Sequence, residues 1–395
     1  MTMDRDRGPV DCTVIGGGPS GLVLALLLAR RGWRVEVVEQ GEIGTPPPLN
    51  ISPFLSPPSL RLFADLGLLP ALARIGQPVH TVVETLADGD RYVLDYAEQA
   101  GPEFGHSLSV PLWRLSGVLL AALTGEESVT VSTGTSVLAV DDTGESVTLE
   151  LADVAGTRSL RSRYVVCADG KFSKARDLAG IDAEVAEFDR LLVMVVVPTP
   201  DGWPERLALH HSDPDELVAV MPFAGGQTVA QWLGGPAENE RLRAGDVREL
   251  LARMAEPLPE LADLLTATIT GWDQVLSVRH HVVRPRTWSR GRVGLVGDCA
   301  HGVHSLGGQG LNMGIQDSML LGALLTEAGP EPFAEYERIR RPFVEAFQSY
   351  QLATPQLTAQ PGGAATRGAL YAEIADLVTH GQPEAAAAYR RLAVR

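Results

Sequence analysis

Val10-Asp11-Cys12-Thr13-Val14-Ile15-Gly16-Gly17-Gly18-Pro19-Ser20-Gly21 is the stretch that decides the fold. An apolar, β-branched run leads into Gly-x-Gly-x-x-Gly, and a second apolar run over 22–29 follows it. The pattern predicts a strand over 10–15, a glycine turn, a helix over 21–31 and a second strand over 34–39. That is a βαβ unit of about thirty residues, the length a parallel pair needs for a helical crossover. Gly16 permits the tight turn, Gly18 lets backbone approach a pyrophosphate, and Gly21 lets helix and strand pack closely. The helix N-terminus offers free N–H groups and a positive dipole to phosphate oxygens. Glu39 closes the second strand 23 residues after Gly16, where an acid binds adenosine ribose hydroxyls. Such a charge-assisted bond is worth about 1.5–3 kcal/mol. An acid there favours a free 2′-hydroxyl, so FAD or NAD rather than NADP.

Outward from that unit, composition sets the limits. The 395 residues suggest two or three domains and a core large enough to dispense with disulfides. Hydrophobic residues make up 45% and mean hydropathy is +0.05, as in a soluble globular protein. A net charge of −16 argues against nucleic acid and anionic membranes as partners. Lysine occurs only at Lys171 and Lys174, a bias better attributed to coding composition than to function. Three cysteines, Cys12, Cys167 and Cys299, cannot all pair, so a reduced, cytoplasmic protein is expected. The apolar run over 22–29 is too short to span a membrane.

Further along, six prolines between Pro46 and Pro58 predict extended surface chain that lines something. A helix over 59–66 follows, and antiparallel strands with polar turns are expected over 128–166. Residues 190–285 turn β-rich, with strands over 191–197, 207–211, 217–221, 228–233 and 274–283 and a helical insert over 247–254. A buried strand over 292–296 then precedes a glycine-rich turn and a helix over 311–325. The end of the chain, 331–350 and 364–393, reads as helix. The β-rich block sits between pieces of the nucleotide-binding unit, so the domains are expected to be discontinuous. Residues 1–76, 107–187 and 276–330 form the nucleotide-binding domain. Residues 77–106 and 188–275 form a β-rich substrate domain, and 331–395 a C-terminal helical segment.

Two more motifs carry chemistry. In Cys167-Ala168-Asp169-Gly170-Lys171-Phe172-Ser173-Lys174-Ala175-Arg176 an apolar strand ends in Asp-Gly, a pair that on its own marks no more than a turn. Gly294-Leu295-Val296-Gly297-Asp298-Cys299-Ala300-His301, followed by Gly307-Gly308-Gln309-Gly310-Leu311-Asn312, says more. A buried strand delivers Asp298, which can accept hydrogen bonds from a polyol. The glycines at Gly308 and Gly310 let backbone press against a flat ligand. Asn312 and the helix beginning near Leu311 aim N–H groups and a positive dipole at it, which would stabilise negative charge on a reduced isoalloxazine. His301 is expected to brace the glycine turn.

These three motifs, in this order, resemble the p-hydroxybenzoate-hydroxylase-like family of FAD-dependent monooxygenases over roughly residues 10–345. The resemblance implies an α/β fold: an FAD-binding Rossmann-like domain of that family's type, with an inserted β-rich substrate domain and C-terminal helices. Asp169-Gly170 stands for that family's D-G-x-x-S-x-V-R with Ala175 in the Val position, and 297–301 for its G-D-A-A-H. By the resemblance, Asp169 and Gly170 lie near the pyrophosphate and share in FAD and NAD(P)H handling, Asp298 binds the ribityl chain, and Arg114 lies against FAD. Three departures stand out. Ser305, with His304 beside it, replaces the family's proline near the flavin edge. No arginine occurs over 40–60, where members often carry one. No thioredoxin-like C-terminal domain is expected, which would place the chain with the short members.

The activity implied is a single-component, NADPH- or NADH-driven monooxygenation: O2 adds at flavin C4a, and the distal oxygen of the hydroperoxide passes to an aromatic or polycyclic small molecule of secondary metabolism. Hydroxylation is the leading expectation, with Baeyer–Villiger insertion, epoxidation or an FAD-linked oxidoreduction without oxygen transfer as alternatives. His304, Ser305 and His211 are the candidate catalytic residues, and Met221, Gln231 and Trp232 the candidate pocket residues. No metal, nucleic acid or membrane partner is expected, and the chain is expected to be a monomer or homodimer. A flavin-dependent halogenase would need a lysine near the flavin and a W-x-W-x-I-P element; neither lysine is expected there and the tryptophan pair does not occur. A catalytically silent binding protein on the same fold would have no use for Asp298 or Asn312.

Overall fold

The computed structural model describes residues 9–46, 52–213, 216–305, 307–327, 331–359 and 364–393. Val10–Ile15 lies in the middle of an eight-stranded sheet, parallel to Val35–Val38 on one side and Gly156–Cys167 on the other. Val129–Ser132 extends the parallel run beyond Val35–Val38, and Val293–Leu295 extends it beyond Gly156–Cys167. Helix Pro19–Ala29 makes the crossover. It is apolar all round rather than on one stripe, because it is buried on both sides, by the sheet and by helix Gly310–Thr326. A Cβ on Gly314 would lie 2.2 Å from Ser20 Oγ, so glycine allows these two helices their approach.

A second, seven-stranded sheet runs Leu276–Pro285, Ala183–Pro198, Gln227–Gly234, Glu216–Phe223, Arg206–Asp213, Thr81–Thr85 and Arg91–Asp95. Its side chains alternate between two environments, as a period of two requires. Val193, Val195, Val218, Val220 and Trp232 pack under helices Val247–Ala255 and Ala262–Thr268. Leu192, Met194, Leu217, Met221 and Leu233 face the other way.

Two boundaries differ from the sequence reading. Leu276–Pro285, assigned by sequence to the nucleotide-binding domain, pairs antiparallel with Ala183–Pro198 and belongs to the second sheet. Gln77–Val79 pairs with Ser107–Ser109, which also pairs with Phe54–Leu55, in a small separate sheet. Strand pairing decided both, and local pattern does not encode it. Of the proline-rich stretch, 47–51 lie outside the described residues; Pro57 and Pro58 open helix Pro57–Asp65, where a missing N–H costs nothing. The end of the chain forms helices Pro332–Ala359, Ala364–His380 and Pro383–Ala393. Among the described residues no helix is long and apolar enough to cross a membrane.

Candidate functional site

At the first glycine turn each glycine has its own steric reason. Gly16 has a φ of +115°, and a Cβ there would sit 2.4 Å from the Ala168 carbonyl oxygen. A Cβ on Gly21 would meet the Gly16 carbonyl oxygen at 2.4 Å. Gly18 has nothing within 4 Å, so no part of the protein demands a glycine there. It precedes helix Pro19–Ala29 without supplying a side-chain cap, which leaves first-turn N–H groups available to an anion. Glu39 accepts from Gly17 N at 2.6 Å and from Gly41 N at 2.8 Å, fixing its carboxyl at the end of Val35–Val38. Open helix N-terminus, empty space at Gly18 and a fixed acid fit the adenosine diphosphate half of FAD.

The Asp169-Gly170 motif is a brace. Asp169 accepts from Ser173 Oγ and from Ala175 N at 3.1 Å, and Ser173 caps helix Lys174–Leu178 through Arg176 N at 2.9 Å. Arg176 is buried and donates to the carbonyls of Lys171 and Cys299, both at 3.3 Å. The second motif is thereby locked to the third. Gly170 has a φ of +89° and open space at its Cβ position. Arg114 stands on helix Leu112–Leu123, exposed to solvent, its guanidinium carbon 5.1 Å from the Trp113 ring centroid.

In the third motif Gly297 (φ +61°) turns the chain into the short helix Asp298–His301, and the Asp298 side chain remains 40% exposed. Lys171 Nζ donates to the Val303 carbonyl at 3.0 Å and lies 3.9 Å from Asp298 Oδ2. A lysine therefore does stand beside this site, contrary to the sequence expectation; the Gly170 turn brings it there. Asn312 also departs from expectation. Its side chain is fully buried and committed to protein: Oδ1 accepts from Ser56 N (3.0 Å) and Ser59 Oγ (2.7 Å), while Nδ2 donates to the Phe54 and Gly308 carbonyls. It ties the proline-rich segment to the Gly308 turn and leaves ligand contacts to the backbone. Gly308 (φ +64°) and Gly310 flank Gln309, which gives helix Gly310–Thr326 no side-chain cap, so a second helix N-terminus stays open. Leu311, half-buried, packs against the core.

Beneath the turn lies a network that sequence reasoning missed. Asp317 accepts from Gly297 N at 2.9 Å and from Arg340 Nε at 2.7 Å, and its Oδ2 is 2.5 Å from His301 Nε2. Burial by itself would raise the Asp317 carboxyl, but His301 and Arg340 outweigh it and hold the group well below the usual carboxylate range. His301 braces the turn, as its position suggested. Asp317 and Arg340 carried no local signal, because an acid and an arginine 23 residues apart on two helices look like ordinary surface charge.

A cavity of about 150 Å3 opens between this turn and the second sheet. His304, Ser305, Gly307, Gly308 and Gln309 line one part of it, and Leu192, Met221, Gln231 and Leu233 another. His304 is held by Gln351, which accepts from its N at 3.1 Å and donates to its O at 2.9 Å. Its ring lies 4.3 Å from that of His280 and 4.6 Å from that of Phe188, centroid to centroid. Burial first, then neighbouring positive groups, lowers His304 to about 3 and His280 to about 4, so both are neutral near pH 7.

Two expectations fail here. Trp232 lies on the opposite face of the sheet from Gln231, beneath the helices, where its Nε1 donates to Glu216. Alternation along Gln227–Gly234 makes it impossible for both to face the cavity. His211 does not line the cavity; its Nε2 is 2.7 Å from Oε1 of Glu84, which does. Sequence reading also missed Glu84, Tyr96 and Tyr350 and, on helix Ala364–His380, Ile374 and Val378, all of which line it. None of the described lining residues is a lysine or arginine.

Comparison with known proteins agrees with this geometry. Residues 9–350 match the family described as FAD binding domain. The chain is 34% identical over 352 residues to protoasukamycin 4-monooxygenase of Streptomyces nodosus subsp. asukaensis, covering 86% of each protein. It is 30% identical over 344 residues to 6-methylpretetramide 4-monooxygenase of Streptomyces rimosus, covering 82% of this chain and 76% of that one. The crystal structure of PqsL from Pseudomonas aeruginosa superposes with a TM-score of 0.78 at 26% identity, over 93% of this chain and all of the other.

Proposed function

This chain belongs to the FAD binding domain family and is a flavoprotein monooxygenase, and from that premise we propose how its residues divide the work. The Gly16–Gly21 turn and Glu39 hold the adenosine diphosphate half of FAD. Asp298 takes the ribityl hydroxyls, and the open N-terminus of helix Gly310–Thr326 faces the flavin ring. FAD, when bound there, supplies acceptance of electrons from NADPH or NADH and the activation of O2. The chain's own task is to hold an aromatic or polycyclic molecule against the ring and keep water out.

One observation carries the reading: the cavity abuts Ser305, Gly307, Gly308 and Gln309 and is walled mainly by leucine, valine and methionine from the second sheet. Such a wall excludes water and presents flat apolar surface to a ring. Gln231, Tyr96 and the neutral His304 are the polar points that can orient a hydroxyl or carbonyl of the substrate. Ser305 gives the turn a hydroxyl beside the reacting edge. Hydroxylation of a ring is the reaction proposed, in keeping with relatives named for protoasukamycin and 6-methylpretetramide. The enzyme acts in the cytoplasm, its three cysteines free and buried, as a monomer or homodimer.

The test is direct. Purified protein is yellow with stoichiometric FAD, a ring substrate accelerates its NADPH or NADH oxidation, and product made under 18-O2 carries one labelled oxygen. Folded protein that binds no FAD sinks the reading; FAD turnover with no label in any product reduces it to an oxidoreductase.

A further inference from the structure

A carboxyl group stands among the aliphatic side chains that wall much of the cavity. Glu84, on strand Thr81–Thr85, lines it among Val82, Leu94, Leu207 and Leu217. Its side chain is only 16% exposed. Two groups fix it from behind. His211 Nε2, itself buried, is 2.7 Å from Glu84 Oε1. Helix Ala364–His380 brings the Tyr371 hydroxyl beside the same carboxyl, and the Tyr371 ring stacks on Tyr92 at 4.0 Å. Burial first, and then the charge and hydrogen bond of Glu84, push the Tyr371 phenol upward, so it stays a donor.

A carboxylate has about four acceptor sites on two oxygens. His211 and Tyr371 engage part of that capacity and leave the rest turned to a cavity without lysine or arginine among its described lining residues. An acceptor left bare when an apolar ring displaces water weakens binding of that ring. A ring carrying a donor removes that cost, whereas a ring carrying a carboxylate meets a like charge and no cation. Three separate elements build this point: strand Thr81–Thr85, strand Arg206–Asp213 and helix Ala364–His380.

We infer that Glu84, fixed by His211 and Tyr371, is a specificity-determining residue that accepts a hydrogen bond from a donor group on a ring substrate, a phenol or aryl N–H, and turns carboxylate-bearing rings away. The inference rests on the cavity being the substrate site of a flavin enzyme, as proposed above.

The test uses FAD-loaded full-length protein and follows the flavin absorbance during titration with 2-naphthol, 2-methoxynaphthalene and 2-naphthoate. Wild type binds 2-naphthol about tenfold or more tightly than the methyl ether, and 2-naphthoate most weakly. Glu84→Leu erases the preference for the phenol. Glu84→Gln, which keeps the shape, narrows it severalfold and admits 2-naphthoate; it carries the test if the leucine variant fails to load FAD. Tyr371→Phe narrows the preference in the same direction. Equal or absent binding of phenol and ether by wild type overturns the inference, as does a preference untouched by both Glu84 variants. A wild-type protein without FAD overturns the functional reading itself, a result the same samples reveal before any titration.

Discussion

Nε2 of His301 lies 2.5 Å from Oδ2 of Asp317, and neither side chain has any exposed surface. Through Asp317 the Gly297 turn that delivers Asp298 is anchored to helix Gly310–Thr326 and, by Arg340, to helix Pro332–Ala359. Asp317→Ala leaves an arginine buried without its acid, so it should cost about 3–5 kcal/mol in unfolding free energy. Urea unfolding of the FAD-free protein measures it; a loss below about 1 kcal/mol would contradict the network's role.

The pH dependence of that pair follows from its sign. The folded-state carboxyl is depressed below its ordinary value of 3.8, so its stabilisation is present above about pH 4 and is lost as pH falls further. Asp317→Asn should have a flatter acid limb of stability below pH 4 than wild type. Parallel limbs would speak against it.

His280 and His304 act at milder pH. Both are lowered from 6.5, to about 4 and about 3, so the folded state favours their neutral forms. Their contribution is complete above about pH 6.5 and declines as pH drops toward those folded values. By pH 5 each should have cost about 2 kcal/mol relative to pH 7. Replacing His304 by Gln should remove its share of that decline, which melting curves at pH 7 and pH 5 would detect.

Gly16 and Gly18 separate folding from cofactor binding. Gly16→Ala forces a Cβ against the Ala168 carbonyl and strains a positive φ, so both melting temperature and FAD content should fall. Gly18→Ala meets no protein atom within 4 Å, so the FAD-free protein should melt as wild type does. FAD affinity alone should drop, by about tenfold or more, because the methyl occupies the pyrophosphate's approach. A Gly18→Ala protein with wild-type FAD affinity would place the pyrophosphate elsewhere.

Neighbours on one strand should behave oppositely. Gln231→Leu alters the polar lining of the cavity and should change the apparent KM for a ring substrate. Trp232→Phe sits on the helix side and should leave KM unchanged, with a stability loss of about 1–3 kcal/mol. Steady-state kinetics on both, with denaturation curves, distinguishes the two faces.

The sequence alone determined the nucleotide-binding half of this protein. Gly16, Gly18, Gly21, Glu39, Gly297 and Asp298 lie within short segments whose local geometry admits few residue types, so a tight turn or strand end leaves its mark in the string. Cofactor class and family followed from those marks. The second sheet was visible as strands, but not its order: Leu276–Pro285 pairs across the chain with Ala183–Pro198 through contacts no local pattern encodes. Period-two alternation could say that Gln231 and Trp232 face opposite ways, yet not which way the cavity lay. Only tertiary structure brought Tyr371 and His211 to Glu84, spent the Asn312 side chain on Ser56 and Ser59, and moved Lys171 beside Asp298. The reason is physical: turn chemistry is set by φ, ψ and the nearest few atoms, whereas a pocket is set by which distant segments share a wall, and a residue's partner there has no fixed separation along the chain.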